Sequence, residues 1–214
     1  MTEFVVIRHG ETDWNLEHRF QGQADPPLNA TGLAQAERLA RRLSAEPADV
    51  LVSSDLQRAR QTAAALARTW GAAAQLRPGL REQAFGQLEG LQVPIIQAEH
   101  PQLWAQWLEQ RADFALPGGG ESLRSFFARV LADIDELARR HAGARVAVVT
   151  HGGVLDMLWR AAHGLALDGL RQCEIPNTGI NRLRWADGRL QVVGWADATH
   201  LADLPPQPHT DPRR

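Results

Sequence analysis

Arg8, His9, Arg58, Glu82 and His151 are residue types that can together move a phosphoryl group. Such a transfer needs a nucleophile in line with phosphorus, cations on the equatorial oxygens and a proton for the departing oxygen. A neutral histidine can attack through one ring nitrogen while the other keeps its proton on a backbone acceptor. His9, in the turn Arg8-His9-Gly10, has such acceptors at hand. Arg8, Arg58 and a protonated His151 would then form a cationic clamp. Glu82 would act as acid toward the leaving group and as base toward water. Taken singly, each has an ordinary reading as a surface turn, a strand cap, a solvated arginine or one acidic residue among 25. Their places in the chain give the set its force.

The elements that must position them can be read from pattern. Residues 4–7, 49–53 and 145–149 are short apolar runs rich in β-branched residues and read as buried strands, with 75–77 as a weaker one. Helices are expected from about Thr31, whose hydroxyl can cap it, and after Ser54 or Asp55 as far as about Thr69. A long amphipathic helix is expected from Glu121-Ser122, and another from His151 through His163. Short helices are expected between residues 94 and 114, and residues 8–30 read as a loop. Residues 180–185 and 190–195 flank Asp187-Gly188 and read as a hairpin. Strands alternating with helices argue an α/β fold with a mostly parallel sheet and an antiparallel edge. Ligands of such sheets bind outside the carboxyl ends of the strands. Arg8-His9, Ser53-Ser54 and Thr150-His151 each follow a strand and would meet at one rim, where the start of the helix after Ser54 would favour an anion.

Composition narrows the chemistry. The length suits one domain, taken as residues 1–204, with a proline-rich and disordered tail at 205–214. There is no lysine, which excludes a Walker-type loop, a Schiff-base enzyme and any lysine base. A net charge of −2 offers nothing to nucleic acid, and no apolar run of membrane-spanning length or leader is seen. One cysteine, Cys173, fits a reducing cytoplasm. His18, His100, His141, His163, His200 and His209 lack metal-ligand spacing, so neither metal nor cofactor is expected.

The sequence also resembles the histidine phosphatase superfamily, in its phosphoglycerate mutase-like branch. The likeness is carried by Arg8-His9-Gly10-Glu11-Thr12 with Trp14-Asn15, by Gln21-Gly22 and by Ser53-Ser54-Asp55 through Ala63. It continues in Arg81-Glu82, Gly119-Gly120-Glu121-Ser122 and Thr150-His151-Gly152, so that it spans roughly residues 4–195. The resemblance implies a three-layer α/β/α sandwich and a phosphohistidine formed on His9. It also implies that Arg8, Arg58 and His151 line the phosphate pocket and that Glu82 handles protons. Asn15, Gln21, Gly22, Arg60 and Gly152 fall where further phosphate or substrate contacts are expected.

Three activities are compatible with these residues. A hydrolase of small phosphate esters and a cofactor-dependent mutase share the phosphoenzyme; a phospho-ligand binding protein would keep the pocket without turnover. A mutase should carry extra cations over the pocket, whereas residues 83–121 contain one arginine, Arg111, plus His100, among apolar residues that include Trp104 and Trp107. The hydrolase is the favoured reading. The identity of the ester and the oligomeric state are not readable.

Overall fold

The computed structural model describes residues 1–204 and 207. Its strands are β1 (Thr2–Arg8), β2 (Val50–Ser53), β3 (Ala74–Leu76), β4 (Arg145–Thr150), β5 (Ile180–Ala186) and β6 (Arg189–Asp197). They form one sheet in the order β3-β2-β4-β1-β5-β6. The first four are mutually parallel, while β5 runs antiparallel to both β1 and β6. In the β1–β4 register Arg8 lies beside Thr150, and in the β2–β4 register Ser53 lies beside Val149. Three chain segments therefore leave the sheet at one level. The expected rim is there.

Alternation along the strands builds the two outer layers. Phe4, Val6, Val146 and Val148 face Phe126 and Val130 of α6 (Leu123–Arg140) and Val154 and Leu158 of α7 (Gly152–His163). Val5, Ile7, Leu51 and Val149 face Leu39 and Leu43 on and beside α2 (Ala30–Arg42), and Ala63 and Leu66 of α3 (Gln57–Trp70). The two faces of the central strands are thus covered by separate helical layers, which makes the α/β/α sandwich. The hairpin turns at Asp187 and Gly188 with φ of 52° and 74°, the left-handed pair that Asp-Gly accommodates.

Local capping departs from the sequence reading at three places. Asn29, not Thr31, caps α2, accepting from the Gly32 amide at 2.8 Å. Neither Ser54 nor Asp55 caps α3: Ser54 Oγ lies 2.8 Å from His151 Nε2, and Asp55 is held by Arg81. Asp25, 32 residues upstream, accepts instead from the Gln57 amide at 2.5 Å. Within the supposed loop 8–30, Thr12 and Asn15 close a reciprocal capping box around the single turn α1 (Asp13–Leu16).

Between Ala84 and Glu121 the chain leaves the sheet and forms a cap. Its helices are α4 (Val93–Glu99) and α5 (Pro101–Glu109). The cap has a small core of its own, where Leu88, Ile96, Leu103 and Leu116 meet Phe20. Its ends are stitched together, with the Gln87 amide donating to Pro117 O at 2.9 Å and the Glu121 amide to Ala84 O at 2.8 Å. Of the expected tail, all but Gln207 lies outside the described residues. The Gln207 side chain accepts from the Asn177 amide. Among the described residues no helix is long and apolar enough to cross a membrane.

Candidate active site

His9 follows the last residue of β1, and its amide donates to Thr150 O at 2.8 Å. The imidazole is buried, and Nδ1 donates to Gly10 O at 2.7 Å. That bond places the proton on Nδ1 and leaves the lone pair on Nε2. Burial, then the Arg58 and Arg8 cations, hold the His9 pKa well below its ordinary value of 6.5, outweighing the Gly10 bond. A neutral ring with a free Nε2 is what a nucleophilic role requires.

His151, the residue after β4, stands with its ring 5.2 Å from that of His9 and is fully buried. Its Nε2 meets Ser54 Oγ, and its Nδ1 has no partner among the described residues. Burial first, then Arg58, His9 and Arg8, push its pKa well below 6.5. The expectation of a protonated His151 is thereby corrected: two arginines already hold the positive charge, and a third cation in the same dry space is unfavourable. His151 is a neutral hydrogen-bonding group here.

The two arginines are anchored by backbone carbonyls. Arg8 donates to Ile175 O at 2.8 Å. Arg58, fully buried at the first turn of α3, donates to Gly22 O at 2.7 Å and to Ala24 O at 2.8 Å. Burial lowers both guanidinium pKa values to about 10, so each stays charged at neutral pH. Glu82 is held by main-chain amides, accepting from Gln83 at 2.9 Å and from Gly153 at 3.0 Å. A side chain on Gly153 would begin 2.1 Å from the Glu82 carboxylate, so any larger residue there would push that carboxylate out of its place. Arg129 of α6 fixes the loop beneath, donating to the carbonyls of Gly79, Arg81 and Glu82 while pairing with Glu121.

Four of these groups, Arg8, His9, Arg58 and Glu82, line one cleft of about 130 Å³ together with Asn15, Gln21, Gly22 and Gly152, whereas His151 is buried beside His9 and is not among the lining residues. The Gly22 backbone has φ +51°, and a Cβ there would strike Glu89, whose carboxylate ties residues 23, 24 and 85 together. Arg60 does not join the cleft. It is exposed on α3, because two helical steps from Arg58 turn the side chain to the other side. The helix start at the cleft also differs from expectation. It is α7, through Gly152, whereas the first amide of α3 is engaged by Asp25.

Two cationic lining residues, Arg19 and Arg171, carried no sequence signal. Arg171, in the loop after α7, borders the cleft. No motif or periodicity marks either. Trp14, Phe20, Phe85, Val93 and Trp107 supply the apolar wall, with Trp107 and Trp104 stacked at 5.2 Å.

Residues 4–198 match the histidine phosphatase superfamily (branch 1). The chain belongs to that family. Among its relatives, Phosphoglycerate mutase-like protein 4 of Arabidopsis thaliana is 38% identical, over 94% of this chain and 87% of that protein. Metal-independent phosphoserine phosphatase of Arabidopsis thaliana is 35% identical, over 95% and 85%. Among solved structures, Bacillus stearothermophilus YhfR superposes with a TM-score of 0.87 at 30% identity, covering 94% of this chain and 100% of that one. The phosphoglycerate mutase-like histidine phosphatase fold is therefore that of this chain.

Proposed function

We propose that this histidine phosphatase hydrolyses phosphate monoesters of small metabolites, without a metal, through a phosphohistidine on His9. The observation that carries the reading is the state of His9: neutral, with Nε2 free, at a cleft where Arg8 and Arg58 are the cations set beside it. His9 Nε2 attacks phosphorus as the ester P–O bond breaks, and the alkoxide takes a proton from Glu82. Arg8 and Arg58 hold the equatorial oxygens, and His151 adds a hydrogen bond through Nδ1. Water then attacks the phosphohistidine while Glu82 recovers its proton. Phosphate leaves, and His9 regains its lone pair. Asn15, Gln21, Gly22 and Gly152 border the ester, and Arg60 is left out of this assignment.

Hydrolysis is favoured over mutase chemistry by the cap, whose contributions to the cleft wall include Phe85, Val93 and Trp107 but neither Arg111 nor His100. A volume of about 130 Å³, near the ~150 Å³ that holds benzene in an engineered cavity, favours a small leaving group. We place the reaction in the cytoplasm, with a small phosphate ester rather than nucleic acid or a membrane as partner. The mutase reading keeps one favourable observation, the additional cations Arg19 and Arg171 on the cleft wall.

The test is hydrolysis of p-nitrophenyl phosphate by wild type and His9→Ala, with and without a chelator. Chelator-insensitive turnover that vanishes in the variant is expected. An inactive wild type refutes the hydrolase, and isotopic phosphoryl exchange between phosphoglycerates would then identify a mutase.

A further inference from the structure

The two clamp arginines are committed to backbone carbonyls, but Arg171 is not. Among the described residues it makes no ion pair or hydrogen bond, and its Nε is buried without a partner. It nevertheless stands among cations. A Cβ on Gly152 would lie 3.6 Å from Arg8 Nε and 4.0 Å from an Arg171 terminal nitrogen, so both guanidiniums overlie one glycine. After burial, Arg171 is the strongest influence lowering the Arg8 pKa. An unpaired arginine set against another arginine is unfavourable unless an anion comes between or beside them.

The loop that carries Arg171 is fixed rather than loose. Arg160, itself buried, donates to Ala166 O at 2.5 Å and to Gly169 O at 2.9 Å, and pairs with Asp156 at 3.1 Å. Arg171 also borders a second cavity of about 70 Å³, next to the main cleft. Glu82, Phe85 and Trp107 are shared by the two cavities, so Glu82 and Arg171 stand on the common boundary. Glu82 is the group that meets the leaving oxygen. Whatever is attached to that oxygen must pass it, into the space that Arg171 faces.

We propose that Arg171 is a specificity-determining residue that binds a carboxylate on the leaving group, selecting short phosphate esters of hydroxy or amino acids. A guanidinium matches a carboxylate with two parallel N–H···O bonds. A second phosphoryl group is disfavoured, because the side cavity of about 70 Å³ is small. This assignment rests on the hydrolase reading, since it takes Glu82 to mark the leaving-group side.

Its test uses binding, so that it is separable from turnover. His9→Ala protein is titrated by calorimetry with O-phospho-L-serine and with O-phosphoethanolamine, which differ only in the carboxylate, and both titrations are repeated with Arg171→Met added. The serine ester should bind about tenfold or more tightly, and the second substitution should weaken it roughly 30-fold. The ethanolamine ester should weaken no more than about threefold. Arg171→Lys should recover part of the loss. Equal weakening of both esters would assign Arg171 to the phosphate clamp and overturn the proposal. So would no weakening, or equal affinities before the substitution. Absence of aryl phosphate turnover in wild type would instead remove the hydrolase reading, whatever the titrations gave.

Discussion

Two neutral imidazoles buried beside two arginines should make this protein acid-sensitive in a pH range where few carboxylates titrate. In the unfolded chain His9 and His151 take up protons near 6.5, whereas in the folded protein both pKa values lie well below that. As pH falls, the unfolded chain therefore binds protons first. The stability involved is intact above pH 6.5 and is lost progressively below it, down to the folded-state pKa values. At pH 5.5, about one unit below the unfolded-state value, each ring contributes a loss on the order of 1 kcal/mol relative to pH 7.5, and the pair about twice that. His200, also lowered by burial, adds a smaller effect in the same direction. Urea unfolding of wild type and His151→Gln at pH 7.5 and 5.5 isolates one ring, because His200 and the carboxylates are common to both. The pH-dependent loss should be smaller in the variant by an amount on the order of 1 kcal/mol. Equal losses in the two proteins would mean that His151 is charged in the folded state, and would refute the reasoning.

The same burial bears on catalysis. Because His9 is held neutral, turnover should persist well below pH 6.5, and a rate that halves near 6.5 would contradict the lowered His9 pKa. Glu82→Gln should slow esters with poor leaving groups far more than activated aryl esters; equal slowing in a comparison of the two would remove Glu82 as the acid. Arg58→Ala should raise the inhibition constant of free phosphate by roughly 30-fold or more. It should also destabilise the fold by about 2–4 kcal/mol, since the carbonyls of Gly22 and Ala24 lose their donors. Unchanged phosphate inhibition, with only the stability loss, would make Arg58 a clasp and not a ligand.

What could be read in the sequence was what short-range pattern encodes. The strand ends carrying Arg8-His9 and Thr150-His151 follow from apolar runs and glycines, and Asp187-Gly188 specifies its own turn. What could not be read depends on partners distant in the chain. Asp25 caps α3 only because the loop after α1 folds back onto it. Ser54 Oγ meets His151, 97 residues on, and reaches only the Leu56 amide, at 3.4 Å and one residue short of the helix. The charge state of His151 depends on how many arginines share its burial, a sum that no local motif contains. Arg60 shows the limit of motif matching: it sits within the matched stretch, yet helical phase turns it outward. Arg171 shows the converse, a cleft residue in an unremarkable loop.

The closed ends of the cap have a consequence for how this scaffold changes its diet of esters. The segment entering and leaving at Ala84 and Glu121 has a small core that takes in Phe20, and its Glu89 ties residues 23 and 24. Together with the loop that carries those residues, it can be exchanged as a cassette, leaving in place the strand ends that hold His9 and His151. Such a graft would carry Phe85, Val93 and Trp107 with it but would leave Arg171 behind on the α7 side. Apolar fit and acid recognition are thus heritable separately. A chimera between two members of the family could acquire a new hydrophobic preference while keeping its old appetite for charge.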